Sequence, residues 1–220
     1  MEESNGRKGI CLIFYFCGLL IMTLGVAISI KSGLGVSPVS SVPDTMIVVF
    51  GIELGLATAV FSIAAALLDI PILRSKYKLK YLLQIPVSLV FGLFMTSCVK
   101  LVRFIPDPSN YAVKIILMLF STIVVAAGVF MYISACIINL PTEGFLLAIA
   151  EVTPLEFSTL KIIGDSAMVL LSLATCLIMI KSFGSIGLGT VVSALLVGAE
   201  VKFFAKIFGA RLKNIIGKQI

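Results

Sequence analysis

The stretch LPTEGFLLAIAEVTPLEFSTLKIIGD, residues 140–165, places three ionisable side chains among apolar neighbours. They belong to Glu143, Lys161 and Asp165. On insertion scales a charged residue at membrane depth costs about 2.5 to 3.5 kcal/mol, so such residues indicate a pathway or a binding site by default. We therefore predict that the rest of the chain holds this stretch inside a lipid bilayer.

The composition of the 220 residues is that of an integral membrane protein. Hydrophobic residues make up 60% of the chain and charged residues 13%, whereas soluble domains are about 45 to 50% apolar. Continuously apolar runs predict helices rather than barrel strands, and most have about the length that crosses ~30 Å of hydrocarbon. We predict an all-α fold with six transmembrane helices, at 10–30, 54–73, 81–99, 115–138, 157–180 and 183–199.

Residue types that enzymes depend on are scarce. The chain has no histidine, the commonest general base and metal ligand. Its five cysteines are scattered through apolar runs without CxxC spacing, so neither a zinc site nor a disulfide framework is indicated. We expect no enzyme activity, no metal and no cofactor. The net charge of +6 is explained by basic loops beside membrane spans, so the expected partner is the lipid bilayer and not nucleic acid.

The distribution of lysine and arginine predicts the orientation. These residues concentrate in segments 1–9 and 74–80 and from position 202 onward. The positive-inside rule places all three regions in the cytoplasm. We therefore predict that both termini are cytoplasmic and that residues 209–220 form a cytoplasmic tail.

Two segments, 37–50 and 139–152, are too short and too polar to span comfortably. A crossing at 37–50 would move the basic loop 74–80 outside, against the positive-inside rule. We prefer two short re-entrant helices that each return to the face they entered from, with full crossings as the alternative.

The two halves of the chain also resemble each other, which predicts a single membrane domain (1–220) of two three-helix repeats, about 10–103 and 112–208. Three crossings per half make the repeats inverted, a recurrent plan of secondary transporters. Four positions are identical at a spacing of 103 residues: Gly25, Val26, Pro38 and Glu53 match Gly128, Val129, Pro141 and Glu156.

The first short helix carries Ser37, Ser40, Ser41 and Asp44 near its start. Their side chains either cap free helix amides or contact a ligand. In an inverted arrangement the starts of the two short helices point at each other, and their converging positive ends suit an anionic or zwitterionic group. We therefore predict a substrate site between them, near the middle of the membrane.

The second short helix places Thr142 and Glu143 in its first turn, and both belong to the predicted substrate site. Glu143 there either neutralises the helix end, coordinates a cation or takes up a proton. Lys161 and Asp165 are four residues apart on the next helix, so they share a face and can pair. This pair either lets the span insert by mutual neutralisation or couples transport to an ion.

Three groups of residues resemble the YitT/YczE-like bacterial membrane proteins: SGLGVSPVSSVP, then LPTEGFLLAIA with FSTLKIIGD, and GLGTVVSALLVG. The resemblance covers nearly the whole chain and is greatest for a subgroup with Ser-Pro-x-Ser-Ser, Leu-Pro-x-Glu-Gly and Lys-Ile-x-x-Asp patterns. Thr142 departs from that pattern, which has glycine there. The resemblance implies a multi-pass protein of the bacterial cell (inner) membrane, and it implies no particular activity.

Three functions fit these observations. The first is a secondary carrier of a small molecule or ion, with its substrate between the short helices. The second is a substrate-binding subunit of a multi-component (ECF-like) transporter, docking a protein partner through Gly18, Gly25 and Ala27 of the first span. The third is a membrane helper without transport activity, and a homo-oligomer is compatible with all three.

Overall fold

Each predicted apolar run corresponds to a helix, although some helix bounds differ from the prediction. A computed structural model describes residues 2–73, 83–135, 137–150 and 153–216. The basic loop 74–80, on which the predicted orientation depends, lies outside these ranges. The described residues form eight α-helices and no strand: α1 Glu2–Ser32, α2 Pro38–Phe50, α3 Leu54–Leu73, α4 Gln84–Arg103, α5 Tyr111–Ser134, α6 Pro141–Ala150, α7 Phe157–Ile180 and α8 Leu188–Ile216.

Four helices, α1, α4, α5 and α7, are long and apolar enough to cross a membrane. A fifth span results if the bent pair α2 and α3 is taken together. These helices confirm the all-α membrane class. The sequence predicted six spans, and neither α3 alone nor α8 is among the helices that meet this test.

The chain turns sharply between α2 and α3. Gly51 ends α2 in the left-handed conformation (φ 70°), a backbone shape that glycine adopts without strain, and its N–H donates to the Ile47 carbonyl. The axes of α2 and α3 then differ by 120°. A bend this large is compatible with either a broken span or a re-entrant segment.

The closest helix packing joins α1 and α5. A Cβ added to Gly25 would lie 2.7 Å from the backbone nitrogen of Val125, and one added to Gly18 would lie 2.6 Å from that of Tyr132. Such contacts require glycine, because only a missing side chain lets two backbones approach so closely. Since the earlier glycine of α1 meets the later residue of α5, the two helices are antiparallel.

This packing overturns one expectation for α1. Gly18 and Gly25 face α5, and Ala27 is 2% exposed, in a cluster with Cys98 and Val102 of α4. The small residues of α1 are therefore covered by the protein's own helices. The prediction that they dock a partner was wrong, because sequence alone does not say whether small residues pack against the same chain or another.

The bundle has two ends, which we name by a residue at each. The Lys31 end holds the last turns of α1 and α4 and the first turns of α5 and α8, joined by the Lys31–Asp107 ion pair (2.6 Å) and a hydrogen bond from the Gly189 N–H to the Leu34 carbonyl (3.0 Å). The Glu143 end holds the first turns of α6 and α7, joined by the Lys161–Glu143 ion pair (3.1 Å).

The last helix differs from its predicted bounds. It begins at Leu188 rather than at residue 183, and it continues to Ile216. The preceding turn contains Lys181 and Gly184 at positive φ, which interrupts helical geometry. The first residues of the predicted tail, from 209 on, are thus helical.

Replacing Gly25 by alanine should destabilise the protein by about 1 to 3 kcal/mol, because the new methyl group overpacks the α1–α5 contact. Gly209→Ala is the matched control, since nothing lies within 4 Å of a Cβ at that position of α8. Thermal unfolding of the purified protein in detergent measures both. A Gly25→Ala variant as stable as the Gly209→Ala variant would contradict the close packing of α1 and α5.

Candidate functional site

A fully buried ion cluster joins α6 to α7. The Lys161 ammonium donates to Glu143 Oε1 at 3.1 Å and to Asp165 Oδ1 at 2.6 Å. Lys161 and Asp165 are each 1% exposed and Glu143 is 0% exposed. The predicted pairing of Lys161 with Asp165 is thus present, and Glu143 joins it as a third member that sequence spacing did not connect to it.

Local sequence explains how the two helices present these groups. Pro141 begins α6, where a missing N–H costs nothing, and the Leu140 carbonyl accepts the Gly144 N–H at 2.7 Å. Glu143 therefore sits in the first turn, where the positive end of the helix favours an acid. The neighbouring Thr142 hydroxyl donates to Glu143 Oε2 at 2.8 Å and so holds the second carboxylate oxygen.

The cluster contains two acids and one base. When all three groups are ionised, its net charge is −1, and no further salt bridge to it occurs among the described residues. An uncompensated charge in a buried site costs several kcal/mol. The cluster therefore favours binding one more positive charge, either a proton on a carboxyl group or a cation beside it.

Polar groups without partners lie beside the cluster. The Tyr132 phenol lies next to Glu143. The hydroxyl oxygens of Tyr15 and Tyr132 and the Gln84 Oε1 have no hydrogen-bond partner within the described part of the chain. The Tyr15 and Tyr132 rings are 6.2 Å apart, and the Gln84 amide nitrogen reaches α6 at Gly144. Buried polar atoms are nearly always hydrogen-bonded, so these three atoms are available to bind water or a ligand.

Sequence reasoning missed the two tyrosines. The signal was available, since Tyr15 and Tyr132 each place a phenol hydroxyl inside an uncharged run of membrane-spanning length. A tyrosine buried in this way usually finds a hydrogen-bond partner, which makes it a candidate for a polar site. Gln84 was likewise not among the predicted site residues, and its amide nitrogen approaches α6 at Gly144.

The residues predicted on the first short helix are buried but bond locally. The Ser40 hydroxyl donates to the Ser37 carbonyl (2.9 Å), and the Ser41 hydroxyl donates to the Pro38 carbonyl (2.7 Å). The Ser37 side chain makes no capping bond, so the capping alternative is not realised at the residue that precedes α2. Asp44 is 8% exposed, and its Oδ2 has no hydrogen-bond partner among the residues described.

The two predicted sets do not form one site through direct bonds. Thr45 of α2 contacts α7 at Cys176, with 3.6 Å between Oγ1 and Sγ. Lys161 lies on the same helix about 22 Å away at 1.5 Å per residue. Across the described ranges, no hydrogen bond or ion pair links α2 to Glu143 or Thr142, so the structure brings together Thr142, Glu143, Lys161 and Asp165 and leaves the α2 residues apart.

Lys161→Met should destabilise the fold far more than Glu143→Gln. The first variant leaves two buried carboxylates without their cation, and breaking a buried ion pair in this way costs about 3 to 5 kcal/mol. The second leaves a balanced pair of Lys161 and Asp165. Thermal unfolding of the purified protein, followed by helical circular dichroism, measures the difference.

The exposed pair of Lys202 and Glu156 supplies the control. Lys202 Nζ and Glu156 Oε2 are 2.7 Å apart, and both side chains are 62% exposed. The hydrogen bond from Lys202 lowers the pKa of the Glu156 carboxyl. Water screens such a pair, so Lys202→Met should change stability little. Equal melting temperatures for Lys161→Met and Lys202→Met would show that the buried cluster is not an ionised unit.

Among the comparisons with known proteins, a match to one protein family covers most of the chain. No curated protein and no solved structure matches it. Residues 10–206 match a family of unknown function, and this range includes both short helices and the entire buried cluster. The chain therefore belongs to DUF6198, a family of unknown function.

Proposed function

We propose that this protein is a secondary carrier that moves a small solute across the bilayer together with a proton or a monovalent cation. The observation that carries the proposal is the buried cluster of Glu143, Lys161 and Asp165, which has one carboxylate more than it has ammonium groups. Ionisable groups at membrane depth are expensive and mark ion pathways by default.

The cluster supports coupling because its charge balance depends on what it binds. A proton on Glu143 or Asp165 leaves one ammonium and one carboxylate, which is neutral overall. Without that proton the site carries an extra negative charge in a poorly hydrated region and favours rearrangement or access to water. Tyr15, Tyr132 and Gln84 supply unpartnered polar atoms beside the cluster for a water, an ion or part of the solute.

Several contacts support two inverted repeats, about 10–103 and 112–208. α6 begins 103 residues after α2, and α7 begins 103 residues after α3. Gly25 meets Val125 and Ser121, and the equivalent Gly128 meets Met22 and Gly18, so the contacts of each glycine recur in the other half at the same spacing. Because α1 and α5 are antiparallel, these equivalent contacts relate the halves by inversion.

The same spacing relates the cluster to three hydroxyl residues. Ser40, Thr58 and Ser62 occupy the positions equivalent to Glu143, Lys161 and Asp165, and all six residues are buried. These three equivalent positions are thus polar in both repeats, and they are ionisable in the second repeat alone. We infer that the α2 residues Ser37, Ser40, Ser41 and Asp44 contact the solute at one level of the pathway and that the ion cluster acts at another.

In this proposal six helices cross the bacterial cell membrane, with both termini in the cytoplasm and with α2 and α6 as re-entrant segments. The resemblance to the YitT/YczE-like proteins supports the location, and the distribution of basic residues in the sequence supports the orientation. A multi-component transporter subunit has less support, because the expected docking face on α1 is covered by α4 and α5.

Flux into proteoliposomes tests the proposal. The purified protein is reconstituted with a pH-sensitive or a Na⁺-sensitive dye inside, and amino acids, short carboxylic acids and sugars are added one at a time under an imposed proton or Na⁺ gradient, respectively. One of these solutes should drive ion movement with the native protein. Glu143→Gln and Asp165→Asn should abolish the coupled ion movement, because each removes the excess carboxylate.

The matched control is Glu156→Gln, which removes an exposed carboxylate next to the same helix. It should leave the coupled flux unchanged. The carrier proposal fails if no solute moves under either gradient while cells carrying Glu143→Gln or Asp165→Asn behave like the wild type.

A further inference from the structure

A second polar feature lies at the Lys31 end, well away from the buried cluster. A cavity of about 370 Å³ opens there between the last turns of α1 and α4, the loop after α4 and the first turn of α5. This volume is within the range of small-ligand pockets. Its floor is apolar and is formed by Ala27, Ile30, Val99 and Val102.

The rim of the cavity is positively charged. Lys31, Arg103 and Lys114 line it together with one acid, Asp107. Lys31 is the only one of these bases that pairs with Asp107, at 2.6 Å, within the part of the chain that the structure describes, and its hydrogen bond lowers the pKa of that carboxyl. The rim keeps an excess of two positive charges.

Helix ends account for two of the three bases. Lys31 and Arg103 lie in the last turns of α1 and α4, where a cation complements the negative end of the helix. Lys114 lies in the first turn of α5, where the helix end is itself positive and disfavours a cation. Its ammonium extends to the residue that follows α1, 3.9 Å from where a Cβ on Gly33 would lie, so it adds to the charge of the rim against the preference of its own helix.

We propose that this cavity binds an anionic phosphate or carboxylate group carried on a short apolar body. Arg103 and Lys114 hold the charged group, and the apolar floor takes the hydrocarbon part. An anion resolves the mutual repulsion of the rim cations, which Asp107 alone does not balance. The binding does not depend on the carrier proposal, since the cavity and the buried cluster share no residue.

Hexyl phosphate is a suitable probe, with inorganic phosphate as the form lacking an apolar body. Titration calorimetry on the purified chain in nanodiscs of phosphatidylcholine should show saturable binding of hexyl phosphate, weaker binding of inorganic phosphate and loss of affinity with added salt. Charge-assisted hydrogen bonds contribute about 1.5 to 3 kcal/mol, so Lys114→Gln and Arg103→Gln should each weaken binding about tenfold or more.

Lys100→Gln is the matched control, because Lys100 lies on α4 one turn before Arg103, is exposed and does not line the cavity. It should leave the affinity unchanged. An absence of binding overturns the proposal, and so does an equal loss of affinity in the Lys100 and Lys114 variants, which would mean general surface charge.

A second set of nanodiscs distinguishes the two natural sources of the anion. If added phosphatidylglycerol displaces hexyl phosphate from the native protein, a lipid headgroup occupies the cavity. If hexyl phosphate binds equally well with phosphatidylglycerol present, the cavity selects a soluble anion. Either result supports an anion site, provided that Lys114→Gln weakens the binding measured.

Discussion

The structure depends on one constraint: an ammonium group held between two carboxylates where water is excluded. Lys161, Glu143 and Asp165 are almost completely inaccessible, so each relies on the others for the solvation that water would otherwise provide. The first turn of α6 delivers Glu143 to Lys161. The position of α7 is fixed in turn, since Lys161 and Asp165 must face α6 together.

A second constraint places those helices. α1 and α5 approach so closely at Gly18, Gly25 and Gly128 that their backbones are in direct contact. This contact sets Tyr15 against Tyr132 and brings Tyr132 beside Glu143. The packing of the antiparallel helices α1 and α5 and the polar contacts at α6 are therefore parts of the same arrangement.

Much of this architecture follows from sequence, and some of it does not. Apolar length predicted helices at nearly the observed positions, and the four-residue spacing of Lys161 and Asp165 predicted their pairing, because both are local properties. The contact between Glu143 and Lys161 joins two different helices, and the residue spacing within a helix does not predict a contact between helices. The same limit applies to Gly18 and Gly25, whose small size predicted close packing without identifying the partner as α5. Ser40 and Ser41 were predicted as caps or ligands, yet their hydroxyls bond to carbonyls of their own helix, a choice that depends on side-chain rotation.

The unequal chemistry of equivalent positions has a consequence for energetics. If the two repeats of a carrier exchange conformations during transport and are chemically identical, its two resting conformations are equally populated. Here one half holds Glu143, Lys161 and Asp165, and the other holds Ser40, Thr58 and Ser62. In the proposed carrier, this exchange would expose charged groups to water in one conformation and only hydroxyl groups in the other, so the two conformations would differ in free energy and the protein without solute would occupy mainly one of them.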